Sequence, residues 1–159
     1  MKKLFLIRHA QAGHGDMVAS DRERPLTERG QRDASAMGAR LAARRVTPDL
    51  IVSSPALRAL TTARLMAGEL GYPLERIRTE EPLYASSTGQ LLSVIAGLSA
   101  ELQQVMLFGH NPEFTDLAHR WSRTIVALPP CAVVELRFDV ASWADVGAAA
   151  PLHATLDLA

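Results

Sequence analysis

Lys3-Leu4-Phe5-Leu6-Ile7-Arg8-His9-Ala10 is the stretch that decides the fold. Residues 3–7 form a short apolar run of Leu, Phe and Ile, which reads as a buried strand. The run ends abruptly in Arg8-His9. A guanidinium offers a rigid fork of donors suited to phosphate oxygens. An imidazole can serve as nucleophile or proton carrier near neutral pH. One dipeptide proves little, so its meaning depends on what the rest of the chain brings to it.

Outward from that strand, strand and helix signals alternate. Residues 10–24 are polar and read as a loop. Arg24-Pro25-Leu26-Thr27 leads into a helix with Thr27 as N-cap, and Ala34, Met37 and Leu41 recur at helical spacing until Pro48. Residues 49–53 read as a second buried strand. Ser54-Pro55 predicts a helix start, serine at the N-cap and proline at the first helical position. Ala56, Leu60, Ala63, Ala67 and Leu70 form its stripe, and Gly71 its stop. A third strand is expected near residues 74–78. Ser87-Thr88-Gly89-Gln90 fits a capping box that opens a helix through Leu91, Leu92 and Ile95.

Residues 104–108 read as a strand ended by Gly109, and Asn111-Pro112 repeats the cap-plus-proline device. Phe114, Leu117, Ala118 and Trp121 then share an apolar face. Late strands are expected at 131–138 and, at an edge, 154–158. The alternation predicts an α/β domain with a largely parallel sheet. No repeat, linker or low-complexity tract interrupts it, so residues 1–159 are expected to form a single domain.

The bulk properties fit this. At 159 residues the chain can bury a substantial core, and 48% hydrophobic with 21% charged residues is ordinary for a soluble globular protein. Seventeen basic and seventeen acidic residues cancel, which argues against wholesale binding to nucleic acid or anionic membranes. Cys131 stands alone, excluding an intramolecular disulfide and a thiolate metal cluster. Met1-Lys2-Lys3 ahead of apolar residues resembles the start of a signal peptide, but the apolar run is too short for one. No stretch approaches the ~20 apolar residues of a membrane span. A cytoplasmic location is therefore expected, with neither nucleic acid nor membrane as partner. Oligomeric state has no signature in the sequence.

Three strand ends carry the chemistry. The first ends in Arg8-His9. The second ends in Ser53-Ser54-Pro55, with Arg58 in the next helix. A later one ends in Gly109-His110-Asn111-Pro112. Ligands of open α/β sheets bind at the carboxyl ends of strands. If these strands are neighbours, two arginines, two histidines and two helix N-termini converge on one crevice suited to an anion. P-loop and Rossmann glycine patterns are lacking, as is an Asp/Glu cluster for magnesium. Zinc on His9 and His110 would lack carboxylate or cysteine companions. The expectation is a phosphoryl site with no metal and no cofactor, in which arginine neutralises charge.

Four blocks in this order carry a family resemblance: Leu6-Ile7-Arg8-His9-Ala10; Arg24-Pro25-Leu26-Thr27-Glu28-Arg29-Gly30; Ser53-Ser54-Pro55-Ala56-Leu57-Arg58-Ala59 with Thr62-Ala63; and Phe108-Gly109-His110-Asn111-Pro112. Together they resemble the histidine phosphatase superfamily, and within it the small SixA-type phosphohistidine phosphatases. The resemblance implies a phosphoglycerate mutase-like three-layer fold, with a mostly parallel sheet between helices. It implies that His9 is the nucleophile and becomes a phosphohistidine, while Arg8, Arg58 and His110 grip the phosphoryl oxygens. Ser54 and Asn111 join them as expected substrate-binding residues.

Two departures from the family pattern stand out. Ala10 replaces a common glycine. Where many members place a glutamate acid, the alignment over Glu80-Glu81-Pro82-Leu83-Tyr84-Ala85 puts Ala85, leaving Glu80, Glu81 and Asp21 as candidate substitutes. An imidazole leaving group can be protonated at neutral pH, whereas an alkoxide needs a donor. Phosphohistidine on a protein is therefore the expected substrate. A small-molecule phosphomonoesterase or mutase on the same site is the first alternative, and a non-catalytic phosphate-binding module the second. His14 is a weaker candidate for the site, and Arg24 for its positive rim. His119 and His153 read as surface or structural residues, Arg40, Arg44 and Arg45 as an exposed helix face, and Phe114 and Trp121 as core.

Overall fold

The computed structural model describes residues 1–14 and 20–159. Among these, six strands form one sheet in the order β3-β2-β4-β1-β5-β6. In chain order the elements are β1 (Lys2–Arg8), α1 (Glu28–Ala43), β2 (Leu50–Ser53), α2 (Leu57–Leu70), β3 (Arg78–Thr79), α3 (Thr88–Ala96), β4 (Gln104–Gly109), α4 (Glu113–Trp121), β5 (Val133–Phe138) and β6 (His153–Asp157). β1 to β4 run parallel, and β5 pairs antiparallel with both β1 and β6.

The two-residue period of the strands separates two cores. Phe5 and Ile7 of β1 and Met106 and Phe108 of β4 meet Ala34, Met37 and Leu41 of α1 and Ala63, Met66 and Ala67 of α2. Leu4, Leu6, Val105 and Leu107 face the other way, against Leu91, Ile95, Phe114, Leu117, Ala118 and Trp143. Helices thus cover both faces, in the three-layer arrangement expected.

The local differences from the sequence-based reading have physical causes. Residues 74–78 do not form a strand. Leu74–Arg76 make a 3-10 turn after Pro73, Leu74 is exposed, and only Arg78–Thr79 reach the sheet. α2 starts at Leu57 rather than directly after Ser54, whose hydroxyl accepts the Ala56 N–H two residues on and also bonds His110. Its buried stripe turns to Arg58, Ala59, Thr62, Ala63, Met66 and Ala67, which points polar groups towards the strand ends. Within the loop expected at 10–24, Asp21–Glu23 form a 3-10 turn and Ala12 bridges Leu26, while 15–19 lie outside the described residues.

Thr27 and Ser87 cap their helices as expected, each accepting an N–H bond three residues on, and Gly71 closes α2 at φ 72°. Arg40 and Arg44 are not merely solvated. Arg44 donates to Asp157 at 2.7 Å and Arg40 to the Leu158 carbonyl, tying α1 to the last strand. Lys2 is fully buried, its Nζ donating to the carbonyls of Ala100 and Leu102. Among the described residues no helix is long and apolar enough to cross a membrane.

Candidate active site

β1, β4 and β2 are neighbours, so their carboxyl ends lie side by side. The backbone fixes the loaded residues directly. The His9 N–H donates to the Gly109 carbonyl at 3.0 Å and the Ser54 N–H to the Phe108 carbonyl at 2.9 Å. Thr62 of α2 secures the turn after His9: its Oγ1 accepts from the Ala10 N–H at 3.0 Å and donates to the Arg58 carbonyl at 2.7 Å. Ala10 is completely buried in this turn.

The two imidazoles lie 5.3 Å apart between ring centroids, and both are almost wholly buried. His9 Nδ1 is 2.7 Å from the carbonyl oxygen of Ala10. A carbonyl only accepts, so Nδ1 carries the proton and Nε2 keeps a free lone pair. His110 Nε2 is 2.7 Å from Ser54 Oγ, which also accepts from the Ala56 N–H at 3.1 Å. We assign the serine hydroxyl as the donor to His110 Nε2, which places the His110 proton on Nδ1. His110 Nδ1 is buried and has no protein partner among the described residues, and the same holds for Arg8 Nε. Both are donors left over, at the mouth of the strands, for an incoming anion.

Electrostatics keeps both rings neutral. Burial, reinforced by the charges of Arg58, Arg8 and Arg24, takes His9 down to about 4. Burial, then Arg58, His9 and Arg8, takes His110 down to about 3. A neutral imidazole beside two guanidiniums is the state in which it attacks phosphorus. Burial and Arg58 also lower the pKa of Arg8. Cys131 is no competing nucleophile, since burial pushes its thiol up to about 12.

Asp21 completes the site in a way the sequence did not indicate. Arg58 donates to its backbone carbonyl at 2.8 Å and to its carboxylate at 3.0 Å. Tyr84 donates its hydroxyl to the same carboxylate at 2.7 Å, and Arg24 adds a third bond at 3.0 Å. Tyr84, then Arg24 and Arg58, hold the Asp21 carboxyl far below the usual carboxylate range. Asp21 is thus an anchor for Arg58, with no proton to give at neutral pH. Glu81 is likewise held ionised by Arg22, whose guanidinium also covers the Tyr84 ring at 4.4 Å. Glu80 pairs with Arg78. Ala85, at φ 49°, offers no side-chain donor.

Arg8, His9, Arg58, His110 and Ser54 come together as expected. Ser54 is completely buried and bonded to His110, so it stands behind the imidazole rather than on the surface. Asn111 Nδ2 and Arg8 both donate to the Leu128 carbonyl, at 2.8 and 2.9 Å. Arg24 braces the Gly13 carbonyl and Asp21. His14 is exposed, His119 bonds the Ile125 carbonyl and His153 is exposed on β6. Among the described residues no three His, Cys, Asp or Glu side chains are placed to hold a metal ion together.

Residues 4–89 match the sequence profile of the histidine phosphatase superfamily, branch 1. The chain belongs to the histidine phosphatase superfamily. Its fold superposes, with a TM-score of 0.81 at 26% identity over 97% of each chain, on a protein assigned as the phosphohistidine phosphatase SixA of Agrobacterium tumefaciens. An uncharacterised chloroplastic protein of Arabidopsis thaliana is 28% identical, over 89% of this chain and 69% of that one. At 18% identity a mycobacterial glucosyl-3-phosphoglycerate phosphatase shares the fold, with a TM-score of 0.65 and coverage of 99% and 98%. This histidine phosphatase is therefore a SixA-like, phosphoglycerate mutase-type α/β protein that acts on a phosphorylated substrate.

Proposed function

We propose that this phosphatase removes the phosphoryl group from phosphohistidine on a protein, through a phosphoenzyme on His9. The observation that carries the reading is the pairing of a neutral, oriented His9 with two guanidiniums, with the Asp21 and Glu81 carboxyls beside the site both held ionised. His9 Nε2 attacks phosphorus, and the N–P bond to the substrate imidazole breaks in line. Arg8, Arg58 and the Nδ1–H of His110 bind the three equatorial oxygens as charge redistributes. The departing imidazole takes its proton from water. A water molecule then attacks phosphorus on His9, giving inorganic phosphate and neutral His9.

Asp21 and Glu81 are both held ionised and cannot protonate an alkoxide. Sugar and glycerate phosphates are accordingly poor substrates in this reading, and Asn111 acts through the Leu128 carbonyl it shares with Arg8. With two arginines supplying the positive charge, no metal is required. A panel of phosphohistidine protein, phosphoramidate and several phosphate esters, assayed with excess chelator, tests this. Turnover of phosphohistidine at least a hundredfold above the esters, unchanged by chelator, is expected. Preference for an ester would assign the small-molecule reading instead.

A further inference from the structure

Beside the phosphoryl site lies a groove of about 490 Å³ that shares Arg8 with it. Its walls are mainly apolar: Pro112, Val126, Ala127, Leu128 and Pro129. Val126 is 73% exposed, the highest value for a large apolar side chain among the described residues. It does not hang on a slack loop. Ile125 and Leu128 on either side are buried, Cys131 is buried just beyond, and the Leu128 carbonyl is held by both Arg8 and Asn111. An exposed apolar surface kept rigid at the lip of an active site has a use.

On the Arg58 side of the site the polar groups are already engaged. There Tyr84 stands edge-on to His110, 5.6 Å between centroids, and Asp21, Arg58, Arg22 and Glu81 are already bonded to one another. A substrate whose phosphoryl group is held by Arg8 has the groove directly beside it, since Arg8 lines both.

We infer that the Val126–Pro129 groove is a specificity subsite that takes an apolar side chain next to the phosphohistidine of the substrate protein. Asp116 on its edge adds a preference for a cationic residue beyond that apolar anchor. The inference rests on the phosphohistidine reading and names which protein surfaces suit it: those with Leu, Val or Met flanking the modified histidine.

The test uses two phosphohistidine hexapeptides, one with leucines flanking the modified residue and one with aspartates, with phosphoramidate as the substrate lacking any side chain. The intact enzyme is expected to show kcat/KM at least tenfold higher for the leucine peptide, mainly through KM. Val126→Asn and Ala127→Asn, polar but uncharged, should bring the two peptides to within about threefold of each other. Phosphoramidate turnover should stay within twofold of the unmodified enzyme, which also reports that the variants are folded. Equal use of both peptides by the intact enzyme, with phosphoramidate turned over, would overturn the subsite and leave the phosphohistidine reading standing. No turnover of phosphoramidate or either peptide would overturn that reading and the subsite with it. A preference for phenyl phosphate over glycerol phosphate that V126N removes, without a leucine preference, would assign the groove to a small apolar leaving group and overturn the protein occupant.

Discussion

Replacing Ser54 with alanine isolates one bond that the chemistry depends on. The Ser54 hydroxyl is completely buried and makes two contacts, to the Ala56 N–H and to His110 Nε2. Alanine fits the space but orphans both partners. A buried polar group left without its partner costs about 1–3 kcal/mol, so the pair costs about 2–4 kcal/mol after partial relaxation. For a chain of this length that lowers Tm by roughly 4–16 °C, at about 2–4 °C per kcal/mol. Catalysis should suffer separately. The serine bond, worth about 1.4 kcal/mol, biases His110 about tenfold towards the Nδ1–H tautomer. Without it the two tautomers approach equal populations, so the donor aimed at the phosphoryl oxygen is present about half the time and kcat should fall about twofold. Nitrogen-15 NMR of the imidazoles in both proteins reads the tautomer directly, beside thermal melts and kcat. An unchanged tautomer with an unchanged kcat would refute the role given to Ser54, whatever happens to Tm.

Three further outcomes follow from the geometry. Since burial depresses His9 to about 4 and His110 to about 3, NMR titration should find both rings neutral down to pH 5; a midpoint near 6.5 for either would contradict the site electrostatics. The sign for stability is the same: between pH 6.5 and about 4 the unfolded chain binds more protons, so the fold loses stability as pH falls, by roughly 3 kcal/mol for His9. Asp21→Asn should lower kcat/KM less than about tenfold, since Asp21 only anchors Arg58; a loss of 10²-fold or more, the range of a general acid, would show that it donates a proton. Gly30→Ala would place a Cβ 2.1 Å from the Gln11 carbonyl oxygen, against the chain that follows His9. It should cost about 1–3 kcal/mol and lower both Tm and activity, and an unaltered melting curve would show that this close approach is not required.

The sequence made the catalytic centre legible because its residues sit in contiguous blocks at strand ends. Unbroken apolar runs also mark β1 and β4 as buried strands, but with no alternation they do not say which face meets which helix layer. What it hid were contacts made across long separations. The anchoring of Arg58 by Asp21 spans 37 positions and the Tyr84 bond to Asp21 spans 63. Nothing local marks either pair, so Asp21 appeared only as a candidate acid. Ser54 was read as a helix cap because Ser-Pro suits that role locally. Its hydroxyl does accept the Ala56 N–H, but the bond to His110, 56 positions away, carries no local mark, and the helix itself begins at Leu57. Arg8 and Asn111 meeting on one carbonyl of the 125–131 loop had no signal at all, since a backbone oxygen carries no residue identity.

The central claim is a phosphoryl group carried on His9. Rapid quench of the enzyme with phosphorus-32 phosphoramidate, followed by peptide mapping under alkaline conditions, tests it most directly. The label should appear on the His9 peptide within the first turnover, and His9→Ala should show neither label nor turnover. Turnover by the His9→Ala protein, or label found on another residue, would contradict the account.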